Sequence, residues 1–414
     1  MRLLKLLKVA LGVEHTVVED VVWETAGDGH QVVVVKVRPT RSRRGRCSRC
    51  GRKSRGYDAG GGRRRWRTLD LGVLRVFLEA DAPRVRCRRC VAVVVAAVPW
   101  ARPASRFTAV FEETVTWLSA RMPTSTVAEL SRITWTAASQ ITGRIARDLA
   151  GRTDRLEGLT RVGIDEVSYR KGHRYIMRVI DHDTGRQVWA AKGRSQDVVR
   201  AFFDALGPER SKLITHVTCD GAEWIHDAIR EKAPQATICL DPFHVVMWAT
   251  EALEKLRRRL AAGFRADGRD GKAQTVKGTR WALIKNPEDL STDQRTIIAD
   301  LQQTNMPLYT GYLLKEQLRE IFKTRHGGGL LAGLIAWCAE SATPEFVKLG
   351  TTLHKFRQLI NNSLESGLSN ARVEGANTQL RALTKRANGY HSAEALIAAT
   401  DLTAGRLCPP LPGR

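Results

Sequence analysis

"TRVGIDEVSYR" (Thr160–Arg170) and "KLITHVTCDG" (Lys212–Gly221) decide how this chain of 414 residues is read. Each alternates apolar and polar side chains as a strand does, and each carries an aspartate, Asp165 in the first and Asp220 at the end of the second. Between them, "HRYIMRVIDHDTG" (His173–Gly185) and "RQVWAAKGRS" (Arg186–Ser195) continue the strand pattern, and "QDVVRAFFDALG" (Gln196–Gly207) turns to helical spacing. Beyond Asp220, "AEWIHDAIREKAP" reads as a helix and "ATICLDPF" as a strand.

Three strands in hairpin succession, then helix, strand, helix and strand, is the order of an RNase H-like core, a mixed sheet with helices on its faces. In that topology the first and fourth strands are central neighbours, so Asp165 and Asp220 meet although far apart in sequence. Glu166 adjoins Asp165, but successive side chains on a strand face opposite ways, so one of the two joins the site, and the expectation is Asp165.

Two aspartates at adjacent strand ends are hard oxygen donors of the kind Mg2+ takes, and a two-metal phosphoryl-transfer site needs a third acid. The next hundred or so residues, from "HVVMWATEALEKLRRRLAA" (His244–Ala262), are helical in character and too long for a loop, which predicts an inserted helical domain and a returning helix. "SNARVEGANTQLRALTKRANGY" (Ser369–Tyr390) then offers Glu374. Asn370, Asn377, Thr378, Arg381 and Lys385 fall near one stripe with it, amides and cations suited to a phosphate backbone. Glu365 competes for the role without such a stripe, and a plain surface ion pair of Glu374 with Arg372 or Arg381 is the blander alternative.

Upstream, Cys47 and Cys50 form one CxxC unit and Cys87 and Cys90 another. Two such knuckles complete a tetrahedral four-thiolate site of the structural zinc type, and the strand-like "LGVLRVFLEADAPRVRC" between them predicts a zinc ribbon. The cysteine pattern is not a disulfide framework and predicts a reducing cytoplasm. No run approaches a membrane span.

Lys and Arg total 67 against 43 Asp and Glu, a net charge of +24. The segment Arg41–Arg106 is especially basic, a one-signed block that repels itself unless a polyanion neutralises it. Arg43, Arg44, Arg46, Arg63, Arg64, Arg65 and Arg67 are the expected phosphate contacts, with Trp66 among them as core or stacking surface. Next, "MPTSTVAELSRITWTAASQITGRIARDLAGR" (Met122–Arg152) predicts a helix from Thr124 or Ser125 to Ser131 and another from Trp135 or Thr136 to Ala150. Two short helices across a tight turn suggest a helix-turn-helix, with Gln140, Arg144 and Arg147 as groove or phosphate contacts; a plain helical linker is the alternative.

Taken together, the paired CxxC, "GIDEVSYRKGH", "VTCDGAEW", "DPFHVV" and "SNARVEGANTQLRALTKRANGYHS" resemble the DDE transposases of bacterial insertion sequences, specifically the IS-L-three family. The resemblance covers nearly the whole chain. It implies a multi-domain α/β protein: a zinc-ribbon DNA-binding domain over 1–100, a helix-turn-helix domain over 101–155, an RNase H-like core over 156–262 and 356–414, and an α-helical insertion over 263–355. It implies that Asp165, Asp220 and Glu374 are the catalytic triad holding two Mg2+ ions, with Mn2+ as a possible substitute. It matches Asp241 and His244 to a recurring Asp-x-x-His element whose role stays open between the site, DNA and a helix cap. The implied partners are double-stranded DNA, namely the element's terminal inverted repeats and a target, and further copies of the chain in a dimer or larger assembly, in a nucleoid-associated cytoplasmic setting without a membrane. A branched-DNA nuclease or resolvase of the same core, and a DNA-binding regulator derived from a transposase, are the alternatives.

Overall fold

The structure, a computed structural model, describes residues 2–413 except 171, 325, 326, 369, 370 and 388, without the side chains of residues 2–5, 371–374, 376 and 377. It falls into two compact units, one of Met1–Asp154 with Leu383–Arg414 and one of Arg155–Ala382. No helix among the described residues is long and apolar enough to cross a membrane.

The first unit opens with α1 (Arg2–Ala10) and two sheets. β1 (Thr16–Thr25), β2 (Gln31–Pro39), β4 (Arg63–Arg67) and β5 (Arg75–Asp81) form one sheet in the order β1-β2-β5-β4. β3 (Arg55–Asp58), β6 (Arg84–Cys87) and β7 (Ala92–Val95) form the other in the order β3-β6-β7. The valine run of β2 buries Val33, Val35 and Val37 with Val76, Leu78, Trp66 and Trp100, so Trp66 is core rather than a stacking surface.

Three helices follow: α2 (Ala109–Ser119), α3 (Thr124–Ser131) and α4 (Trp135–Arg152). Thr108 caps α2 by accepting from the Phe111 N–H, and Thr134 caps α4 by accepting from Ala137. The tight turn between α3 and α4 is made by Arg132 at φ +52°, a left-handed conformation that glycine adopts more cheaply. Phe111, Val115, Val127, Ala138, Ile141 and Ile145 close the three-helix core. Of the segment expected over 356–414, the part from Leu383 groups with this first unit, and α17 (Ala393–Thr403) buries Ala398 and Leu402 against Ala146 of α4.

The second unit carries β8 (Arg161–Arg170), β9 (Arg174–Asp181), β10 (Gln187–Lys192), α5 (Gln196–Leu206), α6 (Pro208–Ser211), β11 (His216–Cys219), α7 (Glu223–Lys232) and β12 (Thr237–Leu240). The sheet order is β10-β9-β8-β11-β12, antiparallel from β10 to β8 and parallel from β8 to β12. One sheet face buries Val162, Ile164, Val217, Cys219 and Ile238 under Val199, Phe202 and Phe203 of α5 and Ile225, Ala228 and Ile229 of α7.

The long α8 (Pro242–Ala266) leads into a helical insertion of α9 (Asp270–Gly278), α10 (Arg280–Ile284), α11 (Thr292–Thr304), α12 (Met306–Ile321), α13 (Gly328–Glu340) and α14 (Pro344–Lys355). α8 runs through the expected boundary at 262, since Ala249, Leu253 and Leu256 belong to the same core as Leu308, Leu318 and Phe346. The chain returns on α15 (Arg357–Ser366), which is pinned to β12 by Asn362 Nδ2 donating to the Ile238 carbonyl at 2.8 Å and Ser363 Oγ donating to the Leu240 carbonyl at 2.6 Å. α16 (Ala371–Arg386) follows.

Candidate functional site

In the second unit the parallel register fixes the acids. β11 pairs with β8 so that Thr218 stands against Gly163; Asp165 lies two residues on within β8, and Asp220 two residues on in the turn after β11. β11 pairs with β12 so that Cys219 stands against Leu240, and Asp220 and Asp241 are the residues that follow this last pair. The three aspartates therefore come at the same height in the register of three adjacent strands. Ile164 points into the core under α5 and α7, so alternation turns Asp165 to the opposite face.

The surroundings hold Asp220 in place. Its carboxylate accepts from the Ala222 N–H at 3.0 Å, and its carbonyl accepts from His226 Nε2 at 2.9 Å. His226 is buried, and burial pushes its pKa down, which keeps the ring neutral. Gly221 must be glycine, since an added Cβ would lie 2.7 Å from the Trp248 ring. None of His226, Gly221 or Trp248 was expected from sequence; the "CDG" turn was the available signal.

The open question about Asp241 and His244 has a geometric answer. Asp241 caps α8, accepting from the Phe243 N–H at 3.1 Å, and its other oxygen accepts from His244 Nδ1 at 2.6 Å. The His244 pKa is raised, first by that hydrogen bond and further by Asp241, Asp220 and Asp165, against the effect of burial. The cap and the place beside the acids are thus two halves of one arrangement.

Glu166 follows Asp165 on β8 and lies within the field of Asp220, Asp165 and His244. Burial first, then Asp220, raise its carboxyl to about 7, with Arg194 opposing. Glu166 pairs with Arg194, a residue that was not singled out from sequence.

The carboxylates, from the middle of β8 and the ends of the adjoining β11 and β12, are hard oxygen donors of the kind Mg2+ takes. Among the described side chains, the cysteines are the one group of three or more that closes to the dimensions of a single ion. Glu374 lies on α16, but its side chain is outside the described ones; Glu365 is exposed on α15. Arg381 and Lys385 are exposed on α16.

In the first unit Cys47, Cys50, Cys87 and Cys90 bring their sulfurs within 4.8 Å of one another. The 3.5 Å Cys50–Cys87 and 4.0 Å Cys47–Cys90 separations bracket the ~3.8 Å edge of a tetrahedron with Zn–S bonds of ~2.3 Å. Thiols this close do not all ionise unaided: Cys87 is drawn down to about 6, chiefly by the Cys90 N–H, while Cys90 is pushed up to about 12, chiefly by Cys50. The donor set and spacing are those of a structural Zn2+ site.

The arginines expected on DNA are unevenly available. Arg67 is buried and pairs with Asp70, which makes it structural and corrects its assignment as a DNA contact; Arg144, 37% exposed, pairs with the fully buried Glu112. Arg63 and Arg65 share Glu79, Arg65 also reaches Glu24, and Arg64 donates to the Ser105 carbonyl. Arg46 donates to the Ser42 and Gly51 carbonyls, and Arg43 meets the His15 ring. Arg44, Gln140 and Arg147 are exposed. Sequence reasoning missed a different group. Register sets Arg55 against Arg86 on the ribbon sheet, and the guanidinium carbons of Arg84 and Arg86 lie 5.4 and 4.9 Å from the ring centre of exposed Tyr57.

Comparison with known proteins agrees with this layout. Residues 43–90 match the zinc finger of the transposases of IS204, IS1001, IS1096 and IS1165. Residues 96–141 match the helix-turn-helix domain of transposase family ISL3, and residues 162–400 match the ISL3-type DDE family described as transposase. The chain is 45% identical over 438 residues to the transposase for insertion sequence element IS1557 of Mycobacterium tuberculosis, in strains CDC 1551 / Oshkosh and H37Rv, spanning 100% of this chain and 98% of that protein. It is 27% identical over 353 residues to the transposase for insertion sequence element IS1001 of Bordetella parapertussis, spanning 84% of this chain and 86% of that protein. With ribbon, helix-turn-helix and catalytic segment matched in order along its length, the chain belongs to the ISL3 family of insertion-sequence transposases.

Proposed function

We propose that this transposase cuts and joins DNA at one acid centre, with Asp165, Asp220 and Glu374 as its ligand set. The shared register line of Asp165 and Asp220 carries the proposal. Glu374 is favoured as third ligand because α15 is fastened to β12 beside Leu240, the residue before Asp241, a few residues ahead of α16. Two Mg2+ ions, or Mn2+ in their place, bound by these carboxylates would supply Lewis-acid charge to the scissile phosphate and lower the pKa of the attacking water.

The chain's own part is placement. The parallel register and the Ala222 N–H orient the aspartates, and His226 and Gly221 keep the turn after β11 tight. Water attacks phosphorus at the element's end and the 3′ oxygen leaves with a proton as a 3′-hydroxyl. That hydroxyl then attacks a target phosphodiester, whose own 3′ oxygen leaves in turn. His244, held by Asp241, stands where it can exchange such protons.

DNA is held by the first unit through phosphate contacts. The ribbon surface that serves best is the exposed face with Arg55, Tyr57, Arg84 and Arg86, joined by Arg43 and Arg44; Gln140 and Arg147 of α4 read or flank the groove. Bringing two ends to one target calls for at least two copies of the chain.

The test incubates the full chain with DNA bearing the terminal repeats, Mg2+ and a target plasmid. End-specific nicking that drops by at least about 100-fold in Asp220→Asn and Glu374→Gln, with Glu365→Gln active, is expected. Specific binding with no nicking by the unaltered chain would instead identify a regulator.

A further inference from the structure

A site made of carboxylates has to receive a polyanion. Asp165 lies on β8, and Asp220 and Asp241 directly follow the adjoining β11 and β12, so three carboxylates gather at one edge of the sheet. Every phosphate approaching this edge of the sheet meets repulsion, and the ions that relieve it act at the scissile group alone. The neighbouring phosphates need a cation supplied by the chain.

Arg194 has the construction of such a cation. It follows β10 across Gly193, whose φ of +122° lies where residues with a Cβ are strained and where an added Cβ would come 3.0 Å from a Val198 methyl group. Its guanidinium carbon lies 5.2 Å from the ring centre of Tyr175. Its Nε pairs with Glu166 Oε2. The two partners differ sharply in exposure: the Glu166 side chain is 8% exposed and that of Arg194 is 45%. The carboxylate is thus sunk in the protein while the guanidinium reaches solvent.

An ordinary surface ion pair does not look like this. Burying an ionised glutamate is costly, and the second oxygen, Oε1, is buried with no hydrogen-bond partner. What the arrangement achieves is a guanidinium held in one orientation by a ring, a glycine turn and a fixed carboxylate. An arginine so held loses little side-chain freedom on binding and presents parallel N–H groups that match two phosphate oxygens.

We propose that Arg194 grips a DNA phosphate next to the scissile one, and that Glu166 is the positioning residue that presents it. The proposal rests on the transposase reading above and names the contact which that reading lacks at the acid centre.

The experiment is a chemical double-mutant cycle. End-repeat DNA carries one neutral methylphosphonate at each of the phosphates flanking the cleavage point in turn. Binding is measured in Ca2+ and nicking in Mg2+, for the full chain and for Arg194→Ala, Arg194→Lys and Glu166→Gln. The unaltered chain is expected to lose about 10-fold or more in affinity at one phosphate position. Arg194→Ala should lose the same amount on natural DNA and nothing further at that position. Arg194→Lys, which keeps charge without the planar fork, should recover only part of the loss, and Glu166→Gln should fall between Arg194→Lys and the unaltered chain.

Additive losses at every position would overturn the proposal, as would an Arg194→Ala chain that binds and nicks like the original. If Arg194→Ala does not fold, the cycle is read with Arg194→Lys. Should the unaltered chain bind but never nick, the catalytic reading fails while the Kd cycle still decides the Arg194 contact.

Discussion

Asp165 and Asp220 each lie two residues beyond the last paired position of the parallel pair β8 and β11, Gly163 with Thr218, Asp165 within β8 and Asp220 in the turn that follows β11. The equal offset brings the two residues to the same height along the sheet. It also makes the turn after β11 the most sensitive backbone of the centre.

Gly221→Ala tests that turn. The added methyl would meet Trp248 at 2.7 Å, an overpacking that costs about 1–3 kcal/mol and displaces Asp220. Urea unfolding should report the loss, and nicking should fall by more than the remaining folded fraction explains. Trp248→Leu combined with Gly221→Ala should regain stability; no recovery would show that the clash is not the cause.

Arg144 and Arg147 lie on the same helix and should behave oppositely. Glu112 is fully buried between Arg144 and Arg102, with Arg102 Nη1 at 3.1 Å. Glu112→Ala takes this acid from Arg144, while Arg102 keeps Glu113, and should cost about 1–3 kcal/mol. Arg144→Ala should also destabilise while leaving the salt dependence of DNA binding unchanged. Arg147→Ala should leave stability alone and lower the salt slope by about 0.9. The reverse pattern would return Arg144 to the DNA surface.

Zinc and the ribbon face make a third pair of outcomes. The full chain should carry one zinc per copy through its cysteines, and Cys47→Ser should lose it along with DNA affinity. Arg55→Ala with Arg86→Ala should keep the zinc and reduce the salt slope by up to about 1.8. Arg63→Ala with Arg65→Ala should change the slope less, because those side chains already serve Glu79. Equal slopes for the two doubles would remove the preference for the ribbon face.

Acid should loosen the insertion through Glu254. Its hydrogen bond with Arg257 leads the causes that hold its carboxyl down at about 2, against an ordinary 4.5. A depressed carboxylate contributes its stability above the unfolded value and loses it as pH falls through the folded one. Melting followed from pH 5 to pH 2 should decline, and Glu254→Gln should flatten that decline. An unchanged slope would assign the acid sensitivity elsewhere.

Much of this was legible in the residues. Strand alternation, helix spacing and two CxxC units were enough to order the elements, and Asp165 and Asp220 followed from that order, since short-range periodicity and metal-ligand spacing are local properties. Partnership is not local. Nothing near Arg67 in sequence distinguishes a buried structural guanidinium from an exposed one, and Glu112, the partner of Arg144, lies 32 residues from it. The same holds for the C-terminal segment: α17 reads as a plain helix, and its attachment to α4 depends on Ala146 being free to receive Ala398 and Leu402.

What the sequence by itself determined is the set of modules, their order and the four cysteines that close to the size of an ion, because each is written in spacing. Only the tertiary structure decided that Asp241 follows β12 beside Asp220 while capping α8 and holding His244, and that Glu166 is sunk beneath an exposed Arg194. The reason is physical: a side chain's charge and contacts are set by what packs across from it, and chain distance carries no record of that.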